Sequence, residues 1–536
     1  MAGSTSDSDA ERAPLLEPPA EAEEQIEALN EKTSDRFIVI LAFLGVFIAS
    51  ADESLVISTY SSIASQFHQL AEGSWLLLAY NFGYCISLPV YGALGEVYGR
   101  KNVLVVSYLL FTFSCLACGA STSLVQLVLS RVLTGATSAG SVVMVSVILT
   151  DLLPKNDIAL YRGYQNVVNV TGRSVGAPIG GFLADTIGWR WSFYGQVPIV
   201  LLCTLLTFYR LPSSINKSKA REDDQDPETS RHSVLWDLDY AGIITFSGTI
   251  LIMLFLIRAL GAPTEDTDYE ILILAFAFVA GCLLFVVIEL FWARKPLIPV
   301  RMVSQSIGAY WVLQVLLLSS RFALVSNIVP YLIRAENTSD FMASIWLVVT
   351  SVGVSMGGVF SGLVIKRTNR FKKMCLTASF FTLLFYTLIL IQYPHGFHPW
   401  QGIYLLLVGF APGILFPALF VGMSASAPEG TLSVCISTYY LSQQLGLVIG
   451  PAVGAALTQR LFLGGLQGAL QGVEDKRELI DRVLNEVRYA NGLPEKLREI
   501  VRACYLSSFR ALPVFSIVAT MIMVPILALL KEPSLA

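Results

Sequence analysis

Apolar residues recur along the chain in runs of about 20, which short polar segments interrupt, and a helix of this length crosses a hydrocarbon core. In lipid the backbone hydrogen bonds must close internally, so runs of this length are expected to be helices rather than barrel strands. From Phe37 onward the pattern predicts fourteen membrane-spanning helices. They cover approximately 37–60, 73–94, 103–119, 124–148, 163–186, 191–210, 238–258, 270–292, 306–331, 341–365, 374–392, 400–423, 431–458 and 512–530.

Composition supports a protein that lies mostly in the membrane. Of 536 residues, 54% are hydrophobic and 14% are charged, whereas about 25% of a typical soluble protein is charged. This composition excludes a soluble enzyme, a secreted domain and a nucleic-acid-binding protein. The eight cysteines lie mostly inside apolar runs, and no spacing predicts a metal site or a cofactor.

Basic residues concentrate in the loops after the even-numbered spans, which predicts that these loops and both termini are cytosolic. Spans and linkers then divide the chain into two six-helix halves with two extra spans between them. The predicted segments are an N-terminal half at 37–211, a cytosolic linker at 212–237, the extra spans at 238–292, a cytosolic loop at 293–305, a C-terminal half at 306–530 and a tail at 531–536. Within the last half, the mixed charges of 459–511 predict an amphipathic helix pair on the non-cytosolic side.

Two short motifs concern sorting and modification. Residues 1–36 are acidic and predict a disordered cytosolic tail, in which Glu11, Leu15 and Leu16 fit an acidic dileucine signal for a sorting adaptor. Such signals resemble those that direct fungal proteins to the vacuole. Asn337, in a short non-cytosolic loop, is the one usable glycosylation acceptor that the topology leaves.

Several ionisable side chains fall inside the predicted spans, where each costs at least about 2.5–3.5 kcal/mol by insertion scales. They are Asp52, Glu53, Arg131, Arg173, Arg258, Glu289 and Arg321. For Arg258 and Glu289, near the edges of the extra spans, we expect snorkelling or a mutual pair. Arg131 and Arg173 have two open interpretations, a structural partner for an acid or a part in proton transfer.

Glycine-rich motifs follow span 2 and occupy span 5. The loop motif predicts a tight cytosolic turn with a part in gating, and the span 5 motif predicts close helix packing with a bend at proline. The loop motif consists of Gly92, Glu96, Gly99, Arg100 and Lys101. The span 5 motif consists of Gly172, Gly176, Pro178, Gly180 and Gly181.

Together with Arg131 in span 4, these motifs resemble the signatures of the major facilitator superfamily. With the six-two-six arrangement, the chain is similar to the fourteen-span drug:proton antiporter branch, and within it most similar to fungal vacuolar basic amino acid transporters. The resemblance implies an all-α membrane protein with the major facilitator fold and a proton-coupled antiporter that is not an enzyme. It also implies that Arg131 takes part in proton transfer. The chain departs from the family pattern at Glu96, at Arg173 and in the doubled acid Asp52-Glu53.

We expect Asp52 to be the acid in the central cavity. Neighbouring residues point about 100° apart on a helix, so Asp52 can face the cavity while Glu53 faces a neighbouring helix or also the cavity. Tyr80 and Asn81 are expected to line the route. Protonation of the acid would remove its charge and release a cationic substrate, so that protons and substrate compete under alternating access.

The resulting hypothesis is antiport of protons against amino acids, basic ones in particular, across the vacuolar membrane. The alternative is efflux of drugs, siderophores or secondary metabolites at the plasma membrane. A nutrient sensor or a membrane enzyme on the same scaffold is a further alternative, although no catalytic grouping is evident. The chain has no nucleotide-binding P-loop, so an ion gradient would supply the energy.

Overall fold

A computed structural model describes residues 20–152, 158–211, 239–261, 267–292, 300–303, 306–368, 370–428, 432–471 and 476–532. Over these ranges the chain is helical and contains no strand. The helices are α1 (Ala20–Gln66), α2 (Trp75–Tyr98), α3 (Arg100–Ala120), α4 (Leu124–Leu152), α5 (Ile158–Thr186), α6 (Arg190–Tyr194), α7 (Gln196–Arg210), α8 (Tyr240–Gly261), α9 (Thr267–Phe291), α10 (Val300–Val303), α11 (Ser306–Glu336), α12 (Asp340–Thr368), α13 (Lys372–Gln392), α14 (Gly402–Ser426), α15 (Leu432–Ala469), α16 (Lys476–Asn485), α17 (Glu495–Phe509) and α18 (Ala511–Leu529).

Twelve helical segments in the described ranges are long and apolar enough to cross a membrane. The all-α membrane fold is therefore confirmed. Helices α2 and α5 are not among the twelve, although they occupy predicted spans 2 and 5 and pack along α4 and α1. The count of fourteen spans stays a prediction.

The segments outside the predicted spans differ in how much of them is described. Helix α1 begins at Ala20 and thus includes part of the predicted disordered tail. The sorting residues Glu11, Leu15 and Leu16 and the linker 212–237 lie outside the described residues. In the loop 459–511, α16 and α17 form a helix pair that buries Val483 and Tyr505 against the C-terminal half.

The N-terminal half contains a close packing of α5 against α1. A Cβ atom at Gly172 would lie 2.6 Å from the carbonyl oxygen of Phe47, and one at Gly180 would lie 2.7 Å from that of Leu55. Gly176, between them, meets the carbonyl of Ala51. Because any side chain would collide with backbone here, glycine permits the two helices to approach.

The same packing recurs in the C-terminal half between α15 and α11. A Cβ atom at Gly450 would lie 2.6 Å from the carbonyl oxygen of Ser319, and one at Gly454 would lie 2.9 Å from that of Ala323. The glycine spacing is the same as in α5, and so is the spacing of the carbonyls that they meet. The chain therefore contains two structurally repeated halves, in which α1 and α5 correspond to α11 and α15.

Helices α8 and α9 are the two extra spans. Helix α8 packs on both halves, because Phe246 and Leu254 belong to one buried cluster with Leu78 of α2 and Leu441 of α15. Helix α9 packs on α8 and is otherwise exposed. Arg258 of α8 pairs with Glu72 at 2.5 Å rather than with Glu289, so the expected mutual pair is wrong.

Candidate functional site

A cavity lies between the two halves at mid-membrane depth. It has a volume of about 10 Å³, roughly what a single water needs, so a larger solute can enter only after the halves separate. Six lining residues come from α1, α2 and α4, and the other four come from α11 and α15. The lining consists of Glu53, Ile57, Leu77, Tyr80, Asn81, Arg131, Phe322, Ser326, Leu447 and Pro451.

Glu53 is the carboxylate that lines this cavity. It lies midway along the Val39–Gln66 span and is buried, with its Oε2 atom 2.8 Å from a guanidinium nitrogen of Arg173. The Arg173 side chain is 35% exposed and is thus not sealed into the protein. A carboxylate whose one cationic partner is partly exposed can exchange that partner for another cation.

Asp52 does not line the cavity, and the structure corrects the expectation that it would be the cavity acid. Its side chain is fully buried, and its Oδ2 atom accepts a 2.6 Å hydrogen bond from Arg131, which is also buried. Gln196 of α7 donates a second hydrogen bond to Oδ1 at 3.1 Å. Asp52 is therefore held on the side of α1 that faces α4 and α7.

Arg131 joins this ion pair to the cavity wall. Its guanidinium lies 4.6 Å from the centre of the Tyr80 ring and 5.9 Å from that of Phe193. A cation that is packed on aromatic faces and bonded to one acid has little freedom to move. Of the two interpretations left open by the sequence, this geometry favours a structural partner for Asp52.

Tyr80 and Asn81 both line the cavity. The Tyr80 hydroxyl contacts Ser138 Oγ at 2.7 Å and donates to the carbonyl of Ala49 at 3.2 Å. The Asn81 amide donates to the carbonyl of Leu77 at 3.1 Å. Both side chains are thereby oriented by their own bundle, and the Asn81 carbonyl oxygen keeps acceptor capacity.

Gly99 to Lys101 of the loop motif lie at the turn between α2 and α3. Gly99 has a φ of 87°, a left-handed conformation that favours glycine, and α3 begins at Arg100. Lys101 donates to the carbonyl of Leu211 at 2.6 Å and thus ties the turn to the end of α7. The surroundings of Gly92 and Glu96 lie outside the described residues.

The remaining motif residues pack α5 against both halves. Pro178 lies inside α5, where it removes one backbone hydrogen bond. A Cβ atom at Gly181 would lie 2.8 Å from the carbonyl oxygen of Asp340 at the start of α12. The span 5 motif therefore serves contact between the halves as well as the packing within one half.

Contacts between the halves seal the end that the charge distribution places outside the cytosol. Both carboxylate oxygens of Asp340 lie 2.7 Å from the Ser62 hydroxyl. The Tyr60 hydroxyl donates to the carbonyl of Ser326 at 3.0 Å, and Ser65 Oγ accepts from the backbone N–H of Val487 at 3.0 Å. We call this set the outer seal. Asn337 lies beside it, exposed and hydrogen-bonded to Asn491, and its glycosylation stays a prediction.

A bundle of two repeated helical halves around a charged central cavity, sealed at one end, defines a secondary transporter. The chain belongs to the major facilitator superfamily, whose family model matches residues 42–451. It is thus a multi-pass membrane transporter of small molecules and not an enzyme.

Three of the curated relatives are fungal transporters. The chain is 27% identical to the vacuolar membrane amino acid uptake transporter fnx2 of Schizosaccharomyces pombe, over 87% of this chain and 79% of that protein. It is 27% identical to vacuolar basic amino acid transporter 2 of Saccharomyces cerevisiae, over 76% of this chain and 86% of that protein. It is 25% identical to multidrug resistance protein fnx1 of Schizosaccharomyces pombe, over 93% and 92%.

A solved structure supports the same fold. The bacterial homologue of the human lysosomal transporter Spinster, in an inward-facing and occupied conformation, matches with a TM-score of 0.60 at 14% identity. The match covers 93% of this chain and 97% of that chain. At 14% identity, this match supports the fold and no statement about function.

Sequence reasoning missed the C-terminal side of the cavity. Phe322, Ser326, Leu447 and Pro451 line it but carry no charge or motif that marks them. Gln196 was also missed, because it becomes a partner of Asp52 only when α7 packs beside α1. The spacing of the glycines in α15 is the signal that could have located Leu447, since it repeats that of α5.

Proposed function

We propose that this transporter exchanges protons for amino acids, basic ones in particular, across the vacuolar membrane, and that Glu53 couples the two. The observation that carries the proposal is the Glu53 carboxylate in the cavity wall with a partly exposed arginine as its partner. Two relatives whose names include vacuolar amino acid transport support the substrate class and the location.

The proposed cycle follows from charge. When the cavity faces the cytosol, ionised Glu53 binds the cationic group of the substrate, which competes with Arg173 for the carboxylate. When the cavity faces the acidic lumen, Glu53 takes up a proton and loses its charge, so the substrate is released. The protonated carboxyl then carries the proton back. Proton and substrate thus bind Glu53 one at a time, as antiport requires.

Glu53→Gln is the direct test. In proteoliposomes with an acidic interior, wild-type protein should take up lysine, and an uncoupler should abolish that uptake. Glu53→Gln should lose the uptake because the amide neither ionises nor carries a proton, whereas Glu53→Asp should keep part of it. Glu72→Gln, which removes an acid from a peripheral ion pair, is the matched control and should transport normally. Wild-type uptake by Glu53→Gln would remove Glu53 from the cycle.

Efflux of drugs is the second candidate, favoured by the likeness to a protein named for multidrug resistance. A lipophilic cation without a carboxylate, such as tetraphenylphosphonium, separates the two. We expect it neither to be transported nor to compete with lysine. If tetraphenylphosphonium inhibits lysine uptake at concentrations similar to those at which lysine is transported, the efflux function is favoured.

The vacuolar location has its own test. A fluorescent fusion should mark the vacuolar membrane, and the Leu15→Ala/Leu16→Ala variant should move to the plasma membrane, because a sorting adaptor reads the paired leucines. Glu11→Gln should have a weaker effect of the same kind. A double variant that stays on the vacuole would remove the dileucine signal from the proposal.

A further inference from the structure

Arg321 is a cation at mid-membrane whose role the packing of the bundle leaves unexplained. It lies midway along the Ser306–Glu336 span and is only partly buried. Its Nε atom is buried without a hydrogen-bond partner, and among the described residues no acid pairs with it. Its guanidinium lies 5.2 Å from the centre of the Phe322 ring, which lines the cavity.

The internal repeat places Arg321 at the position that Glu53 has in the other half. Gly176 meets the carbonyl of Ala51, and Gly450 meets that of Ser319. Glu53 is the second residue after Ala51, as Arg321 is the second after Ser319. The two halves therefore present side chains of opposite charge from equivalent positions on α1 and α11.

The same register explains why Arg321 lacks an acid. Arg173, the partner of Glu53, directly follows Gly172. In the other half, Leu447 directly follows Gly446, the glycine that corresponds to Gly172. The position that supplies the counter-charge of Glu53 in one half is thus occupied by an apolar leucine in the half that contains Arg321. The nearby charged group is Arg173, which repels Arg321.

We propose that Arg321 binds the carboxylate of a zwitterionic substrate while Glu53 binds its ammonium group. An unpaired cation at this depth is costly to keep, and a carboxylate is the group that a guanidinium binds in bidentate geometry. Arg321 adjoins the closed cavity through Phe322 without lining it, so a molecule that carries both charges would bridge α1 and α11 once the halves separate. The inference rests on the proposed function for the role of Glu53 and adds the chemical class that the site selects, an α-amino acid rather than an amine.

The test compares amino acids with the amines that lack only the carboxylate. The pairs are lysine and cadaverine, arginine and agmatine, and leucine and isoamylamine. Stabilisation of the purified protein against heat gives the affinity of each compound without requiring transport. Wild-type protein should prefer the amino acid in at least one pair by about ten- to hundredfold, the effect of one charge-assisted hydrogen-bond pair.

Arg321→Gln should abolish this preference by weakening the binding of the amino acid while leaving that of the amine unchanged. Arg321→Lys should restore part of it. Arg258→Gln, which removes an arginine from the periphery of α8, should bind like the wild type. A merely structural role for Arg321 would weaken both members of a pair alike.

Each outcome decides the proposal. A wild-type protein that prefers no amino acid to its amine, or an Arg321→Gln protein that keeps the preference, would overturn it. The proposed function fails differently. If an amino acid is preferred and the preference needs Arg321, but an acidic interior drives no uptake, the carboxylate site stands and proton antiport does not. If leucine is the preferred compound, the site stands and the basic substrate class does not.

Discussion

At the scale of single residues, the two adjacent acids of α1 have different surroundings because they point to different sides of the helix. Asp52 faces α4 and α7, where Arg131 and Gln196 satisfy it. Glu53 faces the cavity and Arg173. An ion pair whose acid is enclosed and whose arginine is held against aromatic rings contributes to a defined bundle rather than to exchange.

Removal of one partner from the buried pair should be strongly destabilising. We expect Asp52→Asn to lower the free energy of unfolding by about 3–5 kcal/mol, because Arg131 is left buried without its counter-charge. The double variant Asp52→Asn/Arg131→Gln should recover much of that loss. Thermal denaturation in detergent measures both. Glu72→Gln, in an exposed pair, should change stability by about 0–1 kcal/mol. Equal stability of Asp52→Asn and wild type would contradict the assignment.

The sequence identifies both acids as unusual but does not distinguish their roles. Arg131 lies 79 positions from Asp52 along the chain, and Gln196 lies 144 positions away. Which acid meets the arginine depends on the rotation of α1 within the bundle. That rotation is set by the glycine contacts with α5, which a pattern of hydrophobic residues does not report.

At the scale of elements, the glycines of α5 and α15 determine how closely pairs of helices approach. The sequence predicts close packing from the spacing of Gly172 and Gly176, and in the structure both lie against the backbone of α1. It does not predict that the partner of α5 is α1, nor that Gly181 reaches α12 across the halves. Helix pairing over long separations is a tertiary property, because many apolar faces are chemically equivalent.

Glycine substitution should reveal this packing. We expect Gly172→Ala and Gly450→Ala to lose about 1–3 kcal/mol of stability, because the new methyl group meets backbone oxygen that cannot move aside. Gly248→Ala on α8, where nothing lies within 4 Å of the added Cβ atom, is the matched control and should be neutral or stabilising. Melting temperatures in detergent compare the three. Similar losses at all of them would indicate a general effect of alanine instead.

At the scale of the whole molecule, the outer seal determines which side of the membrane the cavity can face. Asp340, at the first residue of α12, bonds to Ser62 of α1, and its backbone N–H donates to Asp185 of α5 at 3.3 Å. Arg488 lies 3.9 Å from the same carboxylate. The Asp340 side chain thus connects Ser62 of the N-terminal half with Arg488 of the C-terminal half, and its backbone adds the contact with α5. Loss of the side chain should therefore weaken the closed end.

Loss of Asp340 should shift the equilibrium towards a cavity open to the outer side. A cysteine introduced as Ser326→Cys reports this, because Ser326 lines the cavity and only its backbone carbonyl takes part in the outer seal. A membrane-impermeant thiol reagent added on the outer side should label this cysteine faster when the protein also carries Asp340→Ala than when Asp340 is intact. Glu478→Ala, which breaks an exposed pair within α16, should leave the rate unchanged. Equal labelling of the Asp340→Ala protein would show that the seal rests on other contacts.

The position of α8 affects how a solute can reach the cavity. Because α8 buries residues against both α2 and α15, it covers the groove where the two halves meet on that side. A compound dissolved in the bilayer therefore cannot reach the cavity through that groove. The groove on the opposite side, between α5 and α12, is closed at its outer end by direct contact of the two helices. The closed state therefore favours cargo that enters from water, and with it polar metabolites over lipophilic ones.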